Sequence, residues 1–532
     1  MTIVLSTLNA RYSHTSLGLR YLLANMGELQ SQTQIQEFVI GVRAADVVEK
    51  LLACQPRLIG FGVYIWNVDE LTHIVALLKR VAPEVTIVLG GPEVSHETSD
   101  QRIIALADYV VTGWGDATFP RLCADILQGP KPLMKIHAGE QPPMDQIALP
   151  YAYYNAEDIA QRTVYVEASR GCPFKCEFCL SALDKTAWPF PLDDLLRELE
   201  SLHARGARVF KFVDRTFNLN ISNSLRVLQF FLDKHQDQPD DPVFAHFELV
   251  PDHLPDALKD SLRKFPPGAL QFEIGIQSFN PEVQARISRK QNNEKAMANL
   301  RWLREDTHAH LHVDLIMGLP GEDIDSFARG FDQLVALQPH EIQIGILKRL
   351  RGTPIIRHTE AYGLVFDPAP PYQILATKGI DFNSMQRLVR FARYWDLVAN
   401  SGRFSERLPD ILSDTPFSRF LALSDWLYAN TDATHRISPE RLGRLLDTWL
   451  RTQSADGAEN QADQEDQTQE AIGDVSLTAG SEKNRVSATR RQQRHQAALP
   501  SAVARQASIS DRASSPSEDK GRVRARSKII SA

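Results

Sequence analysis

Cys172, Cys176 and Cys179 fall within eight residues of one another, and the 532-residue chain holds five cysteines in all, the others being Cys54 and Cys123. An odd number, three of them clustered, is not a disulfide framework, which would spread an even number along the chain. Three thiolates in one short loop can converge on a metal centre. Structural zinc takes four ligands, yet Cys54 and Cys123 lie far upstream and no histidine follows at finger spacing. A four-iron cluster on three thiolates leaves one iron open to a further ligand, which suits chemistry rather than scaffolding. The spacing thus favours an iron–sulfur loop over a zinc site that borrows a distant fourth ligand.

Further polar residues recur downstream where apolar alternation places strand ends: Glu248, Gln277, Arg289 and Asp314. The strands that would carry them are Val164–Ala168, Val209–Val213, Phe244–Leu249, Gln271–Ile276, His312–Ile316 and Glu341–Ile346. Helical spacing separates them at Leu192–Ala204, Asn223–Lys234 and Asn293–Arg304. Repeated strand–helix units of this kind predict a parallel, barrel-like sheet over 161–360, a partial (β/α)6 barrel because a full one has eight units.

Upstream, residues 1–128 show short apolar runs at Ile3–Leu5, Leu58–Val63, Thr86–Leu89 and Tyr109–Val111. Amphipathic stretches such as Val68–Val81 separate them. That α/β alternation predicts a doubly wound parallel sheet, which binds ligands at the carboxyl ends of its strands. Residues 129–160 are proline-rich and read as a linker. Residues 365–450 lose the strand signal, and Met385–Val398 and Phe417–Tyr428 predict a small helical domain. Over 452–532 an acidic, Gln-rich stretch passes into one rich in Arg, Ser and Ala, a composition that predicts a disordered tail.

The formal net charge of −7 with 43% hydrophobic residues favours neither a nucleic acid nor a membrane surface as the main partner. No stretch reads as a signal peptide or a transmembrane helix, so the cytoplasm is the expected compartment.

The run Arg170-Gly171-Cys172-Pro173-Phe174-Lys175-Cys176-Glu177-Phe178-Cys179 resembles the C-x3-C-x2-C signature of the radical SAM superfamily, including the aromatic residue before the last cysteine. That resemblance implies a 4Fe-4S cluster on Cys172, Cys176 and Cys179, the catalytic and metal-binding residues. Its free iron would chelate S-adenosylmethionine (SAM), whose reductive cleavage yields a 5′-deoxyadenosyl radical. From 163 to 355 the segments look like those of the branch that includes oxygen-independent coproporphyrinogen oxidase and the methylthiotransferases. By that likeness Glu248, Gln277 and Asp314 would hydrogen-bond the amino group or ribose of SAM, and Arg289 would pair with its carboxylate. Phe178 completes the set. The donor and acceptor types are apt for those groups. Where many members carry a glycine-rich turn after the second strand, this chain reads Phe212-Val213-Asp214-Arg215-Thr216-Phe217-Asn218. Asp214 would then take the amino group or act on substrate.

A doubly wound domain before such a barrel is the architecture of the cobalamin-binding subclass of this superfamily. The resemblance implies cobalamin over the strand ends, near Asn9, Arg11, His14, Thr15, Ser16, Gly90, Gly91, Gly113 and Gly115. Tyr12 and Leu17 stand where the Asp-x-His-x-x-Gly motif of other cobalamin proteins has Asp and Gly, so His14 keeps the histidine of that motif without its flanks. The alternative is a fold kept for docking or substrate selection. The helical C-terminal segment resembles an uncharacterised domain often appended to this subclass.

The implied protein is a radical SAM enzyme associated with cobalamin. It would act by methyl transfer or another radical modification, of the oxidoreductase or cyclase type, on a small or tetrapyrrole-like substrate. Its electrons would come from a flavodoxin or ferredoxin. A tRNA methylthiotransferase would need three further cysteines upstream. A non-catalytic cluster and cobalamin sensor would have no use for the SAM-site residues.

Overall fold

The computed structural model describes residues 2–184 and 186–453. The first six strands are β1 (Ile3–Asn9), β2 (Thr33–Val39), β3 (Leu58–Gly62), β4 (Thr86–Gly90), β5 (Tyr109–Thr112) and β6 (Ile136–Ala138). They form one parallel sheet in the order β2-β1-β3-β4-β5-β6. All seven residues of β1 are buried because both of its faces are covered. Val4 and Leu8 face helices Ala44–Ala53 and Val68–Val81 through Val47, Leu51, Leu71 and Ile74. Ile3 and Leu5 face helices Leu17–Ala24 and Thr118–Gln128 through Leu19, Phe119 and Leu122. Alternation along the strand therefore feeds two cores, the condition for a doubly wound sheet.

Two strands of this first sheet escaped the sequence pattern. Edge strand β2 reads Thr-Gln-Ile-Gln-Glu-Phe-Val and is only partly buried, so its polar residues break the apolar run. β6 has three residues and an exposed face, and it lies within the expected linker, where it extends the first sheet.

The second sheet is also parallel. β7 (Val164–Val166), β10 (Val209–Phe212), β11 (Phe244–Leu249), β12 (Leu270–Gln277), β13 (His310–Met317) and β14 (Glu341–Ile346) lie in sequence order. Between β7 and β10 a short antiparallel pair, β8 (Ser169–Gly171) and β9 (Ala187–Pro189), brackets the cysteine loop. On β12 and β13, Leu270, Phe272, Ile274, Leu311 and Val313 are buried under the outer helices. The alternate positions Glu273, Gly275, Gln277, His312 and Asp314 point into the barrel and stay partly open. This period-two split carries the polar residues to one cavity.

Turns after β12 and β13 are locked together by Glu322, which is buried and accepts a hydrogen bond from Ser278 Oγ at 2.5 Å. Burial pushes Glu322 up to about 7, the Ser278 bond opposing. A carboxyl raised in the folded state contributes stability that is complete below its unfolded value and is lost as pH rises through about 7. Glu322→Gln has no such slope. The stability of the variant relative to the parent is expected to rise by up to about 3 kcal/mol between pH 5 and pH 8, read from urea unfolding at both.

The C-terminal region packs helices Phe382–Trp395 and Pro416–Thr431 and a helical stretch over 439–453 against the barrel, with Phe331, Phe391, Trp395, Phe417 and Phe420 in edge and tilted ring contacts. It also carries a two-stranded ladder, Val365–Phe366 with Ile374–Ala376, that the sequence pattern did not indicate. The expected disordered tail lies, from residue 454 on, outside the described residues. No helix among the described residues is long and apolar enough to cross a membrane.

Candidate active site: two cavities that meet at the cysteine loop

The smaller cavity, about 240 Å³, is lined by Cys172, Cys176 and Cys179 together with Phe178, Glu248, Gln277, Arg289 and Asp314. All three thiols are free. Burial pushes Cys172 up to about 11 and raises Cys176, the latter against the pull of Arg289. Iron that binds there must therefore displace protons. Among the described residues no three His, Cys, Asp or Glu side chains converge on a single-ion site. A point-like zinc site does not fit that geometry. A four-iron cluster fits better, since each thiolate takes its own corner.

The loop is held from outside. Glu177, 3% exposed, accepts hydrogen bonds from Ser288 Oγ at 2.5 Å, from His358 Nε2 at 2.8 Å and from Arg357. Its backbone donates to Ile287 O at 3.0 Å and accepts from Ile355 N at 3.0 Å. One carboxylate thus ties the cysteine loop both to the turn that carries Arg289 and to the segment leading into the C-terminal region. Arg289 donates to Gly275 O, to Gln291 Oε1 at 3.0 Å through Nε, and lies 3.5 Å from Cys176 Sγ through Nη1. Gly275 leaves room for the end of the Gln277 side chain: a Cβ on it would stand 2.2 Å from Gln277 Nε2, which would have to swing aside. A glycine inside a strand pattern is the signal that could have found it.

Asp314 Oδ1 is buried without a well-aligned hydrogen bond, although it lies 3.2 Å from His312 Nε2. Burial opposes charge on His312, but its bonds to Asp314 and Glu341 win and push it up to about 11. Asp314 lines the cavity, and its carboxylate is an acceptor of the kind an ammonium or a ribose hydroxyl would need.

The structure departs from the expectation for Asp214. Its side chain is buried away from the cavity and accepts from Ala168 N at 2.8 Å and Ser169 Oγ at 2.7 Å. It braces the strand that leads into the cysteine loop. The neighbouring Arg215 turns inward instead and donates to Glu248 Oε1 at 2.6 Å. Sequence reasoning missed Arg215, because one residue of register at a strand end reverses which side chain faces in.

The larger cavity, about 540 Å³, opens over the carboxyl ends of β3, β4 and β5. Its floor is bare backbone at Gly60, Gly62, Gly90, Gly91, Gly113 and Gly115. Gly91 has φ +105°, and a Cβ there would meet Val63 O at 2.5 Å, so nothing larger fits. A floor of this kind suits close approach of a broad, flat group such as a corrin.

Asn9, Arg11, His14, Thr15 and Ser16, expected beside that group, lie outside the cavity lining. Four of them join the two domains or brace the loop that does so. Asn9 Nδ2 donates to Glu37 Oε1 at 2.9 Å, Thr15 Oγ1 to Thr163 O at 2.9 Å, and Ser16 Oγ caps helix Leu17–Ala24. His14 Nδ1 bonds Tyr165 OH, and its ring stacks on that tyrosine. Arg11 is exposed. Below them Arg20 and Arg162 alternate with Glu37 and Asp158 in a buried ion network at 2.7–3.0 Å. The loop after β1 is occupied by domain docking.

The cavities share a wall at the cysteine loop. Arg170, two residues before Cys172, reaches back to Asp116 at 2.8 Å and Glu167 at 2.5 Å. Its guanidinium lies over the rings of Tyr21 at 4.2 Å and Trp114 at 5.1 Å. Arg215 lines both cavities, and among the described residues no other does.

Residues 166–334 match the family model of the Radical SAM superfamily, residues 3–123 that of the B12 binding domain, and residues 360–502 that of a protein of unknown function (DUF4080). The chain is 27% identical over 246 residues to the uncharacterized methyltransferase PH0819 of Pyrococcus horikoshii, a match covering 41% of this chain and 53% of that protein. It is 23% identical over 361 residues to the cobalamin-dependent radical SAM methyltransferase TokK of Streptomyces tokunonensis, covering 60% and 51%. The chain thus spans about half the length of these curated relatives. Among solved structures, the cobalamin-dependent S-adenosylmethionine radical enzyme OxsB with aqua-cobalamin bound superposes with a TM-score of 0.59 at 15% identity, over 85% of this chain and 75% of that one. At that identity the likeness is one of fold. The cofactors that belong to these domains are a 4Fe-4S cluster, SAM and cobalamin.

Proposed function

We propose that this chain, a radical SAM protein with a B12-binding domain, cleaves SAM reductively and uses the outcome to modify a substrate lying between its two cavities, by methyl transfer or another radical reaction. The observation that carries this reading is the shared wall: the cysteine cavity and the glycine-floored cavity abut at the loop 169–184 and at Arg215. When bound, the cluster supplies the electron that splits the sulfonium, and the corrin supplies a cobalt able to carry a methyl group or change oxidation state.

In this reading Cys172, Cys176 and Cys179 hold the cluster. Arg289 faces the carboxylate of SAM, while Glu248, Gln277 and Asp314 accept from its ammonium and ribose. Phe178 packs beside them and keeps water from the sulfonium. Gly90, Gly91, Gly113 and Gly115 let the backbone lie against the corrin. His14 takes no part in cobalt ligation, because it lies outside the lining of the glycine-floored cavity, stacked on Tyr165 in the domain interface. Asp214 positions the cysteine loop through Ala168 and Ser169. We place the enzyme in the cytoplasm, with a flavodoxin or ferredoxin as electron donor.

Glu177 acts from outside the cavity. Glu177→Ala is expected to raise the rate of cluster loss to a chelator about 10- to 100-fold, the usual cost of removing a group that orients a metal ligand. Bleaching of the cluster absorbance under anaerobic chelation measures it.

A tRNA methylthiotransferase role is disfavoured by where the other cysteines lie. Cys54 packs against the core on one face of the first sheet and Cys123 within the core on the other, so they cannot complete a second three-cysteine cluster. The deciding experiment is anaerobic reconstitution with iron, sulfide and cobalamin, then assay of SAM conversion to 5′-deoxyadenosine under reducing conditions. Cluster, corrin absorbance and 5′-deoxyadenosine together support the proposal. A loaded protein that leaves SAM intact would point to a sensor, and a protein that takes up no cluster would overturn it.

A further inference from the structure

We infer that Arg215 is the substrate anchor, and that the substrate carries a carboxylate on an apolar body. The inference rests on the proposed reading that substrate lies between the two cavities. Among the described residues Arg215 is the one lining both, so a molecule that spans the two cavities lies against its side chain.

The arginine is poised to bind. Its neighbours Asp214 and Thr216 are buried, whereas its own side chain is 50% exposed. Among the described residues it makes one hydrogen bond, from Nη1 to Glu248 Oε1 at 2.6 Å. A guanidinium has five N–H donors in a planar fork that matches a carboxylate in bidentate geometry, so most of its donors remain available.

Glu248 does not saturate that charge. Burial, reinforced by Glu273 and Asp314, raises Glu248 even against Arg215 and Lys211. A carboxylate surrounded by two others is a weak permanent partner, and it is also the group proposed to serve SAM. The other arginine of the shared wall, Arg170, is held by both Asp116 and Glu167. Asp184, on the same wall, is exposed and screened by solvent. Leu180, Leu183 and Val213 supply the apolar surface beside Arg215. A negative head against the arginine and an apolar body along these side chains is the arrangement the wall accepts.

The test is ligand-observed NMR titration of the cluster-loaded full chain, without SAM, with three matched pairs: benzoate and benzamide, indole-3-acetate and indole-3-acetamide, hexanoate and hexanamide. Acids are expected to bind about tenfold more tightly than their amides, the value of one charge-assisted pair, and Arg215→Gln to remove that preference. Arg215→Lys should restore only part of it. Should Arg215→Gln fail to fold, Glu248→Gln serves instead: it frees the arginine and is expected to raise acid affinity several-fold. Equal binding of acids and amides, a preference that survives Arg215→Gln, or an unchanged preference in Glu248→Gln overturns the inference. Conversion of SAM by the wild type, assayed alongside, judges the proposed function separately: normal conversion without an acid preference removes Arg215 and leaves the enzyme.

Discussion

Cys176→Ala is expected to remove the cluster and, with it, SAM cleavage by about a thousandfold or more, the scale seen when a group acting as part of one catalytic unit is deleted. Cys176 is buried at the centre of the loop, with Arg289 beside its sulfur, and no spare cysteine stands within the cavity. Two thiolates cannot hold four irons against water. Iron and sulfide analysis, together with loss of the charge-transfer absorbance, reads the first effect, and 5′-deoxyadenosine formation reads the second. Cys54→Ser is the control: it lies on the helix Ala44–Ala53 side of the first sheet and should leave iron content unchanged. Equal iron in wild type and Cys176→Ala would mean that the loop does not hold the cluster.

Arg170→Gln is expected to be the most damaging single change to the fold, at about 3–5 kcal/mol, because it strands two buried carboxylates that share one guanidinium. Asp116 comes from the first domain and Glu167 from the start of the second, so the loss falls on the interface between them. The same side chain covers the rings of Tyr21, Trp114 and Phe190. Arg170→Lys should recover little, since a point charge on a flexible stem can neither serve two carboxylates in a plane nor stack on rings. Denaturant unfolding and limited proteolysis between the domains measure the effect. Corrin uptake should fall with stability, because Arg170 also lines the larger cavity. A variant as stable as the wild type, with intact corrin binding, would show that aromatic packing alone holds the interface.

Much of the architecture is legible in the chain. Strands β3 to β5 and β10 to β14 appear as apolar runs or period-two alternation, and helices Val68–Val81 and Leu192–Ala204 begin and end where their spacing indicates. Of the parallel sheets, the strands that were missed were the ones whose burial is one-sided or slight: β2, a polar edge, and β6, three residues long. Burial on both faces leaves a strong apolar signature, and an edge does not. Of the candidate site residues, those on strand interiors or immediately at strand ends, such as Glu248, Gln277 and Asp314, do reach one cavity. Residues at and after the end of β1 fared otherwise. Asn9 ends β1, and His14, Thr15 and Ser16 follow it, at the place where a ligand was expected, yet they are drawn into contacts with Glu37, Thr163 and Tyr165 or into capping the next helix.

By itself the sequence determined what depends on neighbours a few residues apart: three thiolates on one loop, alternation that turns polar residues into a barrel, and glycines at the ends of strands. These follow from the fixed periods of helix and strand and from the short reach of a loop. Only the tertiary structure decided that Arg215 rather than Asp214 faces the cavities, that Arg170 joins the domains through Asp116, and that Glu177 ties the cysteine loop to Arg357 and His358. Those partners stand 54 and about 180 residues apart along the chain. Their meeting is set by the packing of whole domains, whose energy is spread over many buried side chains and leaves no local pattern to read.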